Sequence, residues 1–162
     1  MAISFVLITS TLLVHIALVL GLIAFLAGFR IPEWFKKKSL WLGFYVSVIA
    51  SLGSLYYSEI MGFTPCVLCW YQRIFMYVLP FIFGSAIVYN DYKVIRYVLP
   101  ISVMGLLISA YHYLVQVTRV FVCTGEVDCA IRYTFGYGYI TIPVMAFTAF
   151  LLVLLFSWLA KN

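Results

Sequence analysis

Two cysteines and an arginine lie close together in the stretch "TPCVLCWYQR", residues 64–73. Cys66 and Cys69 are three residues apart, and Arg73 follows Cys69 by four. Residues three and four apart share one face of a helix, so the three side chains would be neighbours there. The thiolate is the nucleophile of disulfide exchange, and Cys-x-x-Cys pairs near helix N-termini have lowered thiol pKa values. The stretch is therefore typical of a redox-active cysteine pair.

The same stretch predicts where a helix begins. Thr64 is a residue type that caps helix N-termini, and Pro65 suits the first helical position. Cys66 and Cys69 should then lie in the first turn, with Arg73 about 10 Å below Cys66. A guanidinium at that depth in a membrane is costly and indicates a functional position, where it could stabilise the Cys69 thiolate or a neighbouring anion. The alternative is that Arg73 snorkels to the headgroups.

Two further polar residues, His112 and Gln116, lie four apart on a later apolar segment and so share a face. Both should lie within about 10 Å of the same membrane surface as Arg73. The matched depth favours a role in the same site, and a structural histidine is the alternative for His112. His15, in the first apolar segment, has no predicted partner and is interpreted as structural.

The charge distribution predicts the elements that carry these residues. Only 9% of the 162 residues are charged and 66% are hydrophobic, whereas soluble domains average about 25% charged. The first segment has no Lys or Arg before Arg30 and is too long for a signal peptide, so it is predicted to remain as a helix. A span needs about 20 apolar residues. The gaps between charges predict five transmembrane helices, at about 4–29, 40–60, 67–89, 96–117 and 138–160.

The positions of Lys and Arg predict the topology. Alternate connections contain seven of the ten basic residues, namely Arg30, Lys36, Lys37, Lys38, Lys93, Arg96 and Lys161. Positive connections are cytoplasmic, so we expect the N-terminus outside and the C-terminus in the cytoplasm. All four cysteines then lie outside, where disulfides persist. This asymmetry accounts for the net charge of +5, and no nucleic-acid partner is predicted.

The four cysteines occur as two local pairs, "CVLC" and "CTGEVDC", which suggests the pairings 66–69 and 123–129 among the three possible. A zinc site of four cysteines is the alternative, but the second spacing is wide for one. Two redox-active pairs on the outer side predict a relay. The loop pair could meet a soluble partner, and the pair at the membrane edge a lipid-soluble acceptor such as a quinone. No glycine fingerprint for a dinucleotide and no histidine pair suited to haem occurs.

These residues resemble a known family. "CVLCWYQR" is similar to the Cys-x-x-Cys…Arg signature of the bacterial disulfide bond formation proteins, DsbB and its Gram-positive relatives BdbC. "LGSLYYSEI", "PCVLCWYQRIFMYVLP", "HYLVQ" and "FGYGYITIP" look like the BdbC branch, and the similarity covers about 40–160. The resemblance implies an all-α integral membrane protein of the bacterial cytoplasmic membrane. The family's four-helix core would cover 39–162, whereas the extra N-terminal transmembrane helix and basic loop over 1–38 lie outside the family's pattern.

The resemblance also implies an activity and roles for the cysteines. The family reoxidises a soluble DsbA-like or BdbD-like thiol oxidase and passes the electrons to a membrane quinone. Carried over by position, Cys66 and Cys69 form the pair next to the quinone, with Cys69 engaging the ring. Cys123 would receive the partner's attack as a mixed disulfide, and Cys129 would be its disulfide mate.

A quinone site is implied in the same way. Arg73 matches an arginine that supports quinone reduction, and His112 and Gln116 match polar residues near the quinone pocket. The BdbC-like motifs favour menaquinone over ubiquinone. The resemblance assigns no role to the extra N-terminal helix.

Two alternative functions remain open at the level of sequence. A vitamin K epoxide reductase-like enzyme also pairs a membrane Cys-x-x-Cys with loop cysteines, although the arginine four residues on favours the DsbB-like interpretation. A non-catalytic membrane scaffold, with structural disulfides or zinc, belongs to a different class. Metal content and thiol trapping during turnover would separate it from the enzymes.

Overall fold

A computed structural model describes residues 2–28, 32–91, 93, 95–119, 127–134 and 136–161. Within them, five helices are long and apolar enough to cross a membrane. The prediction of an all-α membrane protein with five spans is confirmed, while the domain division at residue 38 stays a prediction. The helices are α1 (Ala2–Leu26), α2 (Glu33–Leu55), α3 (Val67–Val88), α4 (Ile95–Thr118) and α5 (Ile142–Lys161).

Helix α2 begins well before the predicted start near residue 40. Its first residue is Glu33, which follows Pro32 in an extended conformation (φ −64°, ψ 142°). Lysine is a good helix former, so the basic run continues the helix even though hydropathy detects only the apolar part. At the other end, α2 widens into a π-helical turn, Tyr56–Ile60.

The predicted N-cap of α3 was wrong. Cys66, not Thr64, occupies the N-cap position, with an extended backbone (φ −74°, ψ 173°), and the helix begins at Val67. The residue before a proline is pushed towards extended conformations, and here the extended backbone continues through Cys66. Cys66 therefore lies just ahead of the helix, while Cys69 lies in its first turn.

Helices α2, α3, α4 and α5 form the bundle. Helix α5 packs on both α2 and α4, and α3 also packs on both of these, whereas α1 packs mainly on α5. Leu79, Phe83, Val98 and Val153 are almost completely buried in the core. Gly43 of α2 permits close approach, because a Cβ there would lie 2.6 Å from the Phe83 ring.

Helix α1 runs along the outside of the bundle, parallel to α5. The His15 ring, for which the sequence offered no partner, is 2.9 Å from the Tyr139 hydroxyl through Nδ1 and 2.7 Å from Thr148 Oγ1 through Nε2. A tight turn precedes α5, with Tyr137 at φ 50° and Gly138 at φ 84°. This turn is why α5 begins at Ile142, after the predicted start near residue 138.

Candidate functional site

The two sulfur atoms of the Cys-x-x-Cys pair lie at the end of α3. Cys66 Sγ and Cys69 Sγ are 3.2 Å apart, within hydrogen-bond distance for sulfur, and both are free thiols. Cys66 is buried and Cys69 is half-buried. The extended N-cap and the first helical turn thus bring the two sulfurs together in the reduced form of the pair.

Cys66 also faces the second cysteine pair. The Sγ atoms of Cys66 and Cys129 and a ring nitrogen of His112 all lie within 4.8 Å of one another. Cys129 is disulfide-bonded. Cys123 lies outside the described residues, so the pairing 123–129 stays a prediction. A reduced sulfur therefore lies beside a disulfide sulfur, which is the juxtaposition that thiol–disulfide exchange requires.

The environment of Cys66 favours its thiolate. A hydrogen bond with Cys69 is the main cause that lowers the pKa of the Cys66 thiol, and His112 lowers it further, against the opposing effect of burial. The net result is a Cys66 pKa well below the ordinary value. From the sequence, Arg73 could stabilise a thiolate at Cys69; the structure adds His112, which lies 3.7 Å from the Cys66 sulfur.

Gln72 fixes the orientation of the His112 ring. Gln72 Nε2 lies 3.1 Å from Nδ1 of His112, and Nε2 of the same ring lies 3.2 Å from the Cys129 carbonyl oxygen. When the amide donates to Nδ1, the ring proton is on Nε2 and points at Cys129 O and Cys66 Sγ. Gln72 was missed in the sequence, although a polar residue immediately before a membrane-embedded arginine is a usable signal.

Gln116 supports the segment that follows Cys129. Its side-chain amide donates to the Ile131 carbonyl at 3.0 Å, and Arg132 Nη donates to the Gln116 backbone carbonyl at 2.7 Å. His112 and Gln116 do share a buried face, as predicted. That face holds the Cys129 segment, and a role of either residue towards a quinone stays a prediction.

Arg73 points into the bundle. Its side chain is only 9% exposed, its Nε donates to Ser54 Oγ at 3.0 Å, and one Nη donates to the Ser54 carbonyl at 3.1 Å. The Trp70 ring lies 5.2 Å from the guanidinium carbon, a distance suited to a cation–π contact. The two hydrogen bonds to Ser54 on α2 argue against the snorkelling alternative.

Arg73 and Cys69 line a cavity of about 300 Å³ between α1, α2, α3 and α5. Most of its other lining is apolar, including Ile49 and Met145. The Ser54 contacts use two of the five N–H groups of the guanidinium, so donors remain for a ligand carbonyl. An apolar cavity with a few placed polar groups and a thiol in its wall fits an aromatic ring with carbonyl oxygens, such as a quinone.

The predicted site residues thus fall into two groups. Cys69 and Arg73 line the large cavity, whereas His112 and Gln116 line a much smaller one, of about 10 Å³, together with Cys66, Cys69 and Cys129. Cys69 belongs to both. The cluster of Cys66, His112 and Cys129 contains zinc-ligand types, but a disulfide sulfur is not a thiolate ligand, so the zinc alternative gains no support in this state.

Comparison with known proteins gives matches over most of the chain. The family model described as "Disulfide bond formation protein DsbB" matches residues 36–160. A "Probable disulfide formation protein C 1" of Bacillus anthracis is 44% identical over 132 residues, covering 78% of this chain and 95% of the relative. "Disulfide bond formation protein C" of Bacillus subtilis is 46% identical over 127 residues, covering 76% and 92%. No solved structure matches.

Proposed function

Because this chain belongs to the DsbB family of disulfide bond formation proteins, and so to the membrane thiol:disulfide oxidoreductases, we propose that it reoxidises a soluble DsbA-like thiol oxidase and passes the electrons to a membrane quinone. One observation carries the proposal. The Cys66–Cys69 pair lies between a disulfide sulfur, on Cys129, and an apolar cavity with a buried arginine, Arg73. One dithiol pair can therefore exchange with a protein disulfide and face a lipid-soluble acceptor.

Electrons enter through the loop cysteines. A thiolate of the reduced partner attacks Cys123 and displaces the Cys129 thiolate from their disulfide. The Cys129 thiolate attacks Cys66 in the Cys66–Cys69 disulfide and displaces Cys69 as a thiolate. The partner's second thiol then releases the partner as a disulfide, and Cys123 displaces Cys66 from Cys129 to restore the loop disulfide. In sum, the partner dithiol loses two electrons and two protons, and the Cys66–Cys69 disulfide gains them.

The surrounding residues prepare Cys66 and Cys129 for this exchange. Cys66 is a good leaving group when its pKa is low, and the hydrogen bond with Cys69 and the His112 ring lower it. His112 and Gln116 hold the Cys129 segment through the carbonyl oxygens of Cys129 and Ile131. Sulfur atoms that exchange must approach closely, so these hydrogen bonds reduce the motion needed.

The other side of the pair faces the acceptor. A bound quinone supplies a two-electron, two-proton sink that lets the Cys66–Cys69 disulfide form again. Cys69 would be the sulfur next to the ring, since it lines the large cavity and Cys66 does not. The Arg73 guanidinium offers positive charge and N–H donors where negative charge accumulates on the acceptor oxygens. Ser54 fixes its direction.

The orientation in the membrane belongs to the same proposal. The basic residues at the α1–α2 and α3–α4 connections support a cytoplasmic position for that end of the bundle. The cysteines and the N-terminus then face the extracytoplasmic side, and the C-terminus faces the cytoplasm. We propose a BdbD-like oxidase as the soluble partner and menaquinone as the acceptor, on the similarity to the disulfide formation proteins C.

The test is quinone absorbance over time, with purified protein, a reduced DsbA-like oxidase, and menaquinone or ubiquinone. We expect loss of the oxidised quinone that requires the partner, with menaquinone preferred. Cys69→Ala should show none. Turnover that continues in Cys69→Ala, or a flat trace for the unsubstituted protein with both quinones and several oxidases, would contradict the proposal.

A further inference from the structure

Helix α1 contributes one of its faces to the cavity that contains Cys69 and Arg73, although it precedes the region that the family model matches. Residues separated by three, four and seven positions lie on one side of a helix. The cavity-lining residues of α1 have this spacing: Leu7, Ser10, Thr11 and Val14.

The opposite face of α1 is exposed within the described part of the chain. Phe5 is 64% exposed and Ile16 is 48% exposed, and both are apolar. In a transmembrane helix such side chains meet lipid. Helix α1 is therefore a single layer of protein between the bilayer and the cavity.

Contacts with the α5 region fix this layer in place. A Cβ at Gly136 would collide with Ile8 Cγ2, so the absence of a side chain there lets α1 approach closely. Further along, His15 is within hydrogen-bond distance of Tyr139 and of Thr148, which itself lines the cavity. Small residues and interhelical hydrogen bonds are the means by which helices associate in a membrane.

The cavity face of α1 presents carbon atoms more than hydrogen-bonding groups. The hydroxyls of Ser10 and Thr11 are both used internally, since each donates to the Leu7 carbonyl, at 2.9 Å and 2.8 Å. Leu7 and Val14 are apolar. A surface of this kind discriminates among ligands by shape and volume, whereas the polar groups on α3 can orient a carbonyl.

We propose that α1 is the specificity wall of the acceptor site: the face formed by Leu7, Ser10, Thr11 and Val14 decides which quinone ring fits beside Cys69 and Arg73. This inference rests on the proposed function, because it takes the cavity as the quinone site. It assigns to α1 a role in selecting the acceptor and none in thiol exchange.

The test compares two valines on the same helix. Val14 lines the cavity, and Val19 is 57% exposed on the outside of α1. Val14→Phe and Val19→Phe add the same ring volume to the same element, and Val14→Ala removes volume from the wall. The KM is measured for a two-ring and a one-ring quinone with the same tail. Independently of turnover, a photoreactive azidoquinone is bound and its labelled peptides are mapped.

We expect Val14→Phe to raise the KM for the two-ring quinone about tenfold more than for the one-ring quinone. Val14→Ala should reduce the difference in KM between the two quinones, and Val19→Phe should leave both KM values as in the unsubstituted protein. The photolabel should appear on residues 7–14. Equal KM ratios in Val14→Phe, Val14→Ala and Val19→Phe, or labelling confined to α2 and α5, would overturn the inference.

Failure of the proposed function would look different. If the unsubstituted protein reduces neither quinone, the relay is wrong, and the label map alone decides whether α1 forms the wall of a quinone-binding cavity. If the protein turns over normally but α1 is unlabelled and the KM ratios do not change, only the specificity wall is wrong. Should Val14→Phe fail to fold, Val14→Ala retains both measurements.

Discussion

The two sides of the Cys66–Cys69 pair differ in almost every respect. On the α4 side, Cys66 meets His112 and Cys129 in a tightly packed, polar cluster with a cavity of only about 10 Å³. On the other side, Cys69 opens on an apolar cavity of about 300 Å³. Exchange between protein sulfurs needs close contact and a low thiol pKa, whereas a lipid-soluble ligand needs volume and an apolar lining.

The difference indicates how one dithiol can serve two unlike reactions. The backbone changes from extended to helical between the two cysteines, and so the sulfurs, 3.2 Å apart, face different surroundings. Residues around Cys66 can then be substituted without changing the surroundings of Cys69, and the reverse also holds. Substitutions on the two sides should accordingly impair different half-reactions.

The largest effects are expected for the cysteines themselves. Cys66→Ala should abolish both exchange with Cys129 and quinone reduction. Cys69→Ala should abolish quinone reduction but leave the Cys66 thiolate able to attack Cys129 in the proposed Cys123–Cys129 disulfide. This displaces the Cys123 thiolate and gives a Cys66–Cys129 disulfide. Non-reducing peptide mapping would detect it. If Cys66→Ala formed a Cys69–Cys129 disulfide as readily as Cys69→Ala forms the Cys66–Cys129 disulfide, the two cysteines would not have distinct roles.

A smaller loss is expected at Arg73. Arg73→Ala removes the buried guanidinium from the cavity and should lower quinone reduction about 100-fold, with thiol exchange unchanged in a stopped-flow assay with the partner. Arg73→Lys should retain part of the rate, because charge remains without the planar fork. The control is Arg96→Ala, at an exposed position on α4. Equal losses in both half-reactions would contradict a role confined to the acceptor side.

At His112 we expect a change in pH dependence. The Cys66 pKa is lowered first by the hydrogen bond with Cys69 and then by His112, so the unsubstituted protein keeps the thiolate into acidic pH. His112→Ala should therefore raise the pH midpoint of the thiolate's ultraviolet absorbance. His15→Ala removes a histidine on the cavity side and should leave the midpoint unchanged. A midpoint that falls in His112→Ala would contradict the assignment.

The smallest effect on either half-reaction is expected from the core. In Gly43→Ala the new methyl would lie 2.6 Å from the Phe83 ring, and overpacking of this kind costs about 1–3 kcal/mol of stability. Thermal unfolding in detergent should show a lower midpoint, with the ratio of the two half-reactions unchanged. Gly84→Ala, where the nearest atom would be 3.6 Å away, is the control and should unfold as the unsubstituted protein does.

The spans could be predicted from the sequence because charge is costly in a bilayer. Gaps between charged residues located all five helices. The errors concerned helix ends, where the local backbone conformation decides which residue is the first in the helix. Hydropathy did not detect that the lysine run continues α2, and residue preferences placed the cap of α3 at Thr64 when the extended chain continues to Cys66. Helix ends depend on such details more than on hydrophobicity.

The sequence predicts the depth of the site residues better than the direction they face. The rise per residue predicts similar levels for His112 and Arg73, and the His112 ring contacts Gln72, the residue before Arg73. The rise contains no information about rotation of α4 against α3, and His112 faces Cys66 and Cys129 while Arg73 faces the larger cavity. The partners of His15, at Tyr139 and Thr148, are likewise set by packing between helices far apart in sequence.

The pairing of α1 with α5 has a consequence for biosynthesis. Helix α1 is synthesised before its hydrogen-bond partners, Tyr139 and Thr148, and can meet them only after α5 has followed α4 from the ribosome. Until then α1 has no neighbour for His15, and the space beside Arg73 remains open to lipid. The dithiol at the start of α3 can thus reach the membrane before the compartment beside it is enclosed, because α5 follows α3 along the chain.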